Sequence, residues 1–94
     1  MITTLTAQPA GAGVYRLPSI TRHGVDVPMV SVLKMKNGYV PFIDGENLRD
    51  DLRSGFACQA IHNALSDYLT RHGIKYGHGN LRVVSAGLAP SRPY

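Results

Sequence analysis

Residues 39–56 read YVPFIDGENLRDDLRSGF. The stretch changes character in its middle. An apolar run, Tyr39-Val40-Pro41-Phe42-Ile43, has the branched and aromatic side chains of a strand. Asp44-Gly45 then offers a chain reversal, because glycine turns sharply and leaves room close to the main chain. Beyond it Leu48, Leu52 and Phe56 fall four apart, and Cys58, Ile61, Leu65, Tyr68 and Leu69 continue an apolar face at helical spacing. The spacing predicts a helix over 46–72, with Leu48, Leu52, Phe56, Ile61, Leu65 and Leu69 in the core. Asp44 is the expected N-cap, and Glu46, Asp50 and Asp51 suit the positive end of the helix dipole. Arg71 and His72 suit the negative end, and Gly73 is the expected left-handed stop. Gly55 is the weak point, costing about 1 kcal/mol relative to alanine in an exposed helix, and the helix is open to a break there.

Outward from this stretch the chain reads as short strands. Asn37-Gly38 predicts a hairpin, since both residues tolerate the positive φ of a type I′ turn. Its first arm is Val25–Met35, confined by Pro28 to an edge or a strand start. Residues 2–7 alternate apolar and threonine side chains as a strand does, and 9–13 read as a small-residue loop. Val14–Leu17 is a brief extended piece, 21–24 a turn, 76–80 a loop and 81–88 a last strand. One helix on a small sheet predicts an α+β domain with one sheet face left for a partner, an RNA or further chain to cover.

Ninety-four residues make one small domain with a thin core, and 44% apolar content is globular. No run approaches the roughly 18 apolar residues of a membrane span. The start MITTLT lacks a basic region and an apolar core, and a lone cysteine suits a reducing compartment. We therefore expect a cytoplasmic protein. The net charge of +4 is unevenly spread. Residues 1–43 carry +3, residues 44–73 carry −2 and residues 74–94 carry +3. Basic flanks of this kind suit either phosphate contacts or an ordinary solvated surface.

Catalytic signals are weak. Cys58 and His62 sit four apart on the helix, but a thiolate needs a positive setting and an orienting group, and a cysteine on an apolar face behaves as a small hydrophobe. The four histidines have no tight ligand spacing. Asp44, Glu46, Asp50 and Asp51 raise a magnesium site against the alternative of helix capping. Gly11/Gly13 and Gly77/Gly79 match no phosphate-loop fingerprint. Arg49 and Arg53, four apart behind Gly45, either fork onto phosphate or pair with nearby aspartates.

The run Pro41, Ile43, Gly45, Asn47, Leu48, Arg49, Leu52, Arg53 resembles the glycine-turn signature of the RAMP superfamily, in the backbone subunits of CRISPR effector complexes. The likeness covers about thirty residues and is greatest to type IV subunits, with type I next. Asp50 stands where that family usually carries glycine, and Ser54 where a further arginine is common. The resemblance implies an RRM-like (ferredoxin-like) palm of antiparallel strands with one long amphipathic helix, of which residues 1–94 would be the amino-terminal part. It implies no catalysis, cofactor or metal. The implied partners are guide RNA, target nucleic acid paired through the guide, further copies of the subunit and other effector subunits. By analogy Gly45, Asn47, Arg49 and Arg53 lie near RNA, with Arg16, Arg22 and Lys34 as further contacts. The alternative is a small protein-interaction module that docks through the uncovered sheet face.

Overall fold

The computed structural model describes residues 3–74 and 81–92. It is an α+β domain with mixed strand pairing and one α-helix. The strands are β1 (Thr3–Thr6), β2 (Gln8–Gly11), β3 (Val14–Leu17), β4 (Ile20–Arg22), β5 (Val25–Val27), β6 (Val30–Met35), β7 (Gly38–Ile43) and β8 (Leu81–Val84), with helix α1 (Ala57–Arg71) between the last two. β2, β3, β6 and β7 form an antiparallel sheet in that order, and β4 pairs with β5 as a separate hairpin. β1 and β8 pair in parallel, not in the antiparallel arrangement expected. The chain runs from β1 into β2 through buried Ala7, whose N–H donates to the Val84 carbonyl (2.8 Å), so one extended segment joins both sheets.

α1 packs on β6, β7 and β8. Alanines at 57, 60 and 64 let its backbone approach the strands, and Ile61, Leu65 and Leu69 fill the space against Leu17, Val30, Val32, Ile43, Leu81 and Val83. Each such large side chain contributes about 2 kcal/mol on burial. The left-handed stop is present as expected. Gly73 has φ +86°, its N–H bonds to the Thr70 carbonyl (3.0 Å), and the Ile74 N–H reaches Leu69 (2.9 Å), closing a Schellman motif.

The start of the helix is not where the spacing placed it. Residues 44–56 are a loop containing one short 3-10 turn (Asp50–Leu52), and α1 begins at Ala57, two residues past Gly55. Asp44 is not its cap: Phe56 occupies that position in an extended conformation, and no acidic residue lies in the first turn of α1. Leu48 and Phe56, expected in the core, are 46% and 62% exposed, while Leu52 packs against the core. The physical reason lies in β7. Its outer edge needs hydrogen-bond partners, and the loop supplies them: Tyr39 and Ser54 exchange N–H to carbonyl bonds (2.7 and 3.1 Å), and Arg49 N–H donates to the Pro41 carbonyl (2.8 Å). The N–H that Pro41 lacks belongs to this same edge, so the ladder to β6 loses nothing.

Five further expectations are corrected. Residues 9–11 of the small-residue stretch join Gln8 in exposed edge strand β2, with a register shift between Pro9 and Gly11. Pro28-Met29 splits Val25–Met35 into β5 and β6. The turn expected over 21–24 narrows to His23-Gly24, Thr21 and Arg22 lying in β4. In the β6–β7 hairpin Lys36 and Asn37 make the turn and only Gly38 has positive φ (+125°), so the type I′ geometry is absent. A Cβ on Gly38 would lie 2.7 Å from the Ser54 carbonyl oxygen, so glycine is needed there for space as well as for φ. The last strand ends at Val84, and the loop expected over 76–80 lies outside the described residues. Among the described residues no helix is long and apolar enough to cross a membrane.

Candidate nucleic-acid interface

The corner after β7 is built from backbone bonds. Asp44 N–H donates to Met29 (2.9 Å), Glu46 N–H to Ile43 (2.8 Å), and Gly45 takes φ +84° between them. A Cβ at Gly45 would meet nothing within 4 Å, so the turn is open to solvent. The 3-10 turn follows, and Asn63 on α1 clamps its end by donating Nδ2–H to the Leu52 carbonyl (3.1 Å).

Arg49 points from this loop toward α1. Its Nε and Nη2 grip both oxygens of Asp51 (2.9 and 2.8 Å), and its Nη1 reaches Asp67 Oδ2 (2.9 Å). Asp67 Oδ2 also accepts from Arg71 Nε (3.0 Å), and Arg71 Nη2 donates to Glu46 Oε1 (3.0 Å). The result is an alternating chain of charges, Asp51–Arg49–Asp67–Arg71–Glu46, that ties loop to helix. Hydrogen bonds to Asp51, then to Asp67, hold the Arg49 guanidinium still more firmly charged. In return Arg49 holds the Asp51 carboxyl below its usual range. Arg71 is likewise raised, chiefly by Glu46. Glu46 and Asp51, expected to serve a helix dipole, are therefore ion-pair partners, because the helix does not start beside them.

The other sequence-selected residues are dispersed. Asn47 and Arg53 are exposed on the same loop, Arg53 lying 3.5 Å from Asp50. Lys34, near the end of β6, lies over the Tyr39 ring at 5.0 Å, and Tyr39 meets Tyr15 edge-on at 6.2 Å. Arg16 is exposed on β3, in register with Ser31 and thence Phe42, on the sheet face opposite the Val30 and Val32 side chains. Arg22 is half-buried in the β4–β5 hairpin, 3.5 Å from Thr3 Oγ1. The structure thus joins Gly45, Asn47, Arg49 and Arg53 on one loop and leaves Arg16, Arg22 and Lys34 on separate strands. Asp67 and Arg71 were not singled out from sequence as site residues, although their four-residue spacing on a helix is an ion-pair signal.

The Cys58–His62 pair is internal. Cys58 is buried, and desolvation pushes its thiol up. His62 is fully buried on the same helix, with Nδ1 3.1 Å from Ser91 Oγ. Among the described residues no three His, Cys, Asp or Glu side chains gather closely enough to hold a metal ion. Set against family models, curated proteins and solved structures, the chain matches none.

Proposed function

We propose that this chain is a non-catalytic guide-RNA-binding backbone subunit of a CRISPR ribonucleoprotein, which grips the RNA backbone and presents bases for pairing with target nucleic acid. The observation that carries the reading is the conformation of the motif segment. Residues 44–53 form an exposed loop pinned along β7, with Gly45 open, Arg53 exposed and Arg49 half-buried between Asp51 and Asp67, instead of a helix face spent on the core. Backbone contacts of this kind fix register, while pairing reads sequence. In this reading the chain is the first part of an RRM-like palm, acts in the cytoplasm and assembles with further copies and other effector subunits.

The test is binding of single-stranded RNA by purified protein, followed by anisotropy across a salt titration. The reading expects affinity that falls with salt, and an Arg53→Ala variant whose salt slope is shallower by about one. Material that retains no RNA at low salt would remove the reading. A second reading is favoured by the opposite sheet face. Leu33 and Phe42 are half-buried there and Met35 is 45% exposed, an apolar surface suited to docking a protein. It expects partner binding that is insensitive to salt and to loss of Arg49 and Arg53.

A further inference from the structure

The guanidinium of Arg49 has two working edges, and the loop treats them differently. Nη1 is anchored to Asp67, a side chain on α1 that is 27% exposed and also fastened by Arg71. The Nε/Nη2 edge faces Asp51, which occupies it as a two-oxygen fork, while the Asp51 side chain is itself 65% exposed on a 3-10 turn of only three residues. A fork of two parallel N–H donors accepts two oxygens of a phosphodiester in the same geometry as two oxygens of a carboxylate.

Resting on the RNA-binding reading above, we propose that Asp51 is a built-in competitor: it holds the phosphate-binding edge of Arg49 in the free protein, and an RNA phosphodiester displaces it. Asp67 is then a positioning residue, keeping the fork aimed when Asp51 leaves. The arrangement weakens capture of an isolated phosphate, since each arrival must expel a carboxylate. It favours a continuous strand, whose neighbouring phosphates add contacts such as those of Arg53.

The experiment compares wild type, Asp51→Asn, Arg49→Lys and the double variant on a labelled single-stranded oligouridine of roughly twenty nucleotides, with thermal unfolding to verify that each is folded. Asp51→Asn is expected to bind about tenfold tighter at low salt. Lysine offers a point charge without the fork, so the gain should vanish when Asp51→Asn is made beside Arg49→Lys. Wild-type binding with no gain in Asp51→Asn overturns the competitor and leaves the RNA-binding reading standing. An equal gain in both backgrounds also overturns it, because the effect is then net charge alone. If none of the four proteins binds the oligonucleotide, both readings fall.

Discussion

Arg49 and Asp67 lie eighteen residues apart in the chain, and their side chains meet at 2.9 Å between Nη1 and Oδ2. The contact joins a loop that has no regular structure for most of its length to helix α1. Because Asp67 Oδ2 also accepts from Arg71, the carboxylate serves the loop and its own helix together.

Replacing Asp67 by asparagine leaves two arginines facing each other with only Asp51 and Glu46 to balance them. The loss should be about 1 kcal/mol, the upper range for partly exposed pairs, and a drop of roughly 4–8 °C in Tm. Hydrogen exchange should quicken at the Arg49 and Ser54 amides before it quickens in α1. An unchanged melting curve would mean the ion chain is decorative.

Two glycines with positive φ should respond unequally to alanine. At Gly45 (φ +84°) the added methyl meets nothing within 4 Å, so only the left-handed backbone is charged, about 1 kcal/mol. At Gly38 (φ +125°) it would also strike the Ser54 carbonyl at 2.7 Å, so the cost should exceed that of Gly45→Ala by about 1–3 kcal/mol and loosen the loop. Equal denaturation midpoints for the two variants would contradict the close approach.

Ser91 Oγ accepts from the Val83 N–H (2.7 Å) and lies 3.1 Å from His62 Nδ1, all three residues being buried. Ser91→Ala strands the Val83 donor, at about 1–3 kcal/mol. Ser91→Thr, which keeps the hydroxyl, should recover part of this if the methyl fits. Equilibrium unfolding in urea measures both.

Cys58 is buried and its thiol is raised by desolvation, so it should react with a thiol reagent only as fast as the domain opens. Its folded value lies above its unfolded one. The associated stability is complete below the unfolded value of about 8.5 and is lost as pH rises through the folded value. Cys58→Ala should flatten the alkaline limb of the stability profile; fast labelling at neutral pH would show that the thiol is not enclosed.

Asp51 behaves in the opposite sense. Its carboxyl is lowered by Arg49, so its contribution is present above the unfolded value of about 3.9 and disappears as pH falls through the lower folded value. Its titration followed by NMR should have a midpoint below that value, and Arg49→Ala should move it upward. A midpoint that ignores Arg49 would dissolve the pair.

Much of the molecule is legible along the chain. The apolar spacing at Ile61, Leu65 and Leu69 marks the packed face of α1, and Gly73 marks its end. The β6–β7 hairpin is signalled by Asn37-Gly38, although the turn uses Lys36 and Asn37. Residues 46–56 mislead because Leu48, Leu52 and Phe56 keep helical spacing where the backbone is a loop. Gly55 is the one local signal of the break, α1 beginning two residues beyond it, while acidic residues near a glycine suit a helix cap and a salt-bridged loop alike.

The sequence by itself determined the mixture of α with β, an apolar helical face through Ile61, Leu65 and Leu69, and an arginine pair behind a glycine corner. Only the tertiary structure decided that this pair rides on a loop, that Asp67, itself fastened by Arg71, holds Arg49, and that β1 meets β8 side by side. Such outcomes depend on which distant backbone edge and which distant charge arrive in reach. Local spacing carries no record of either.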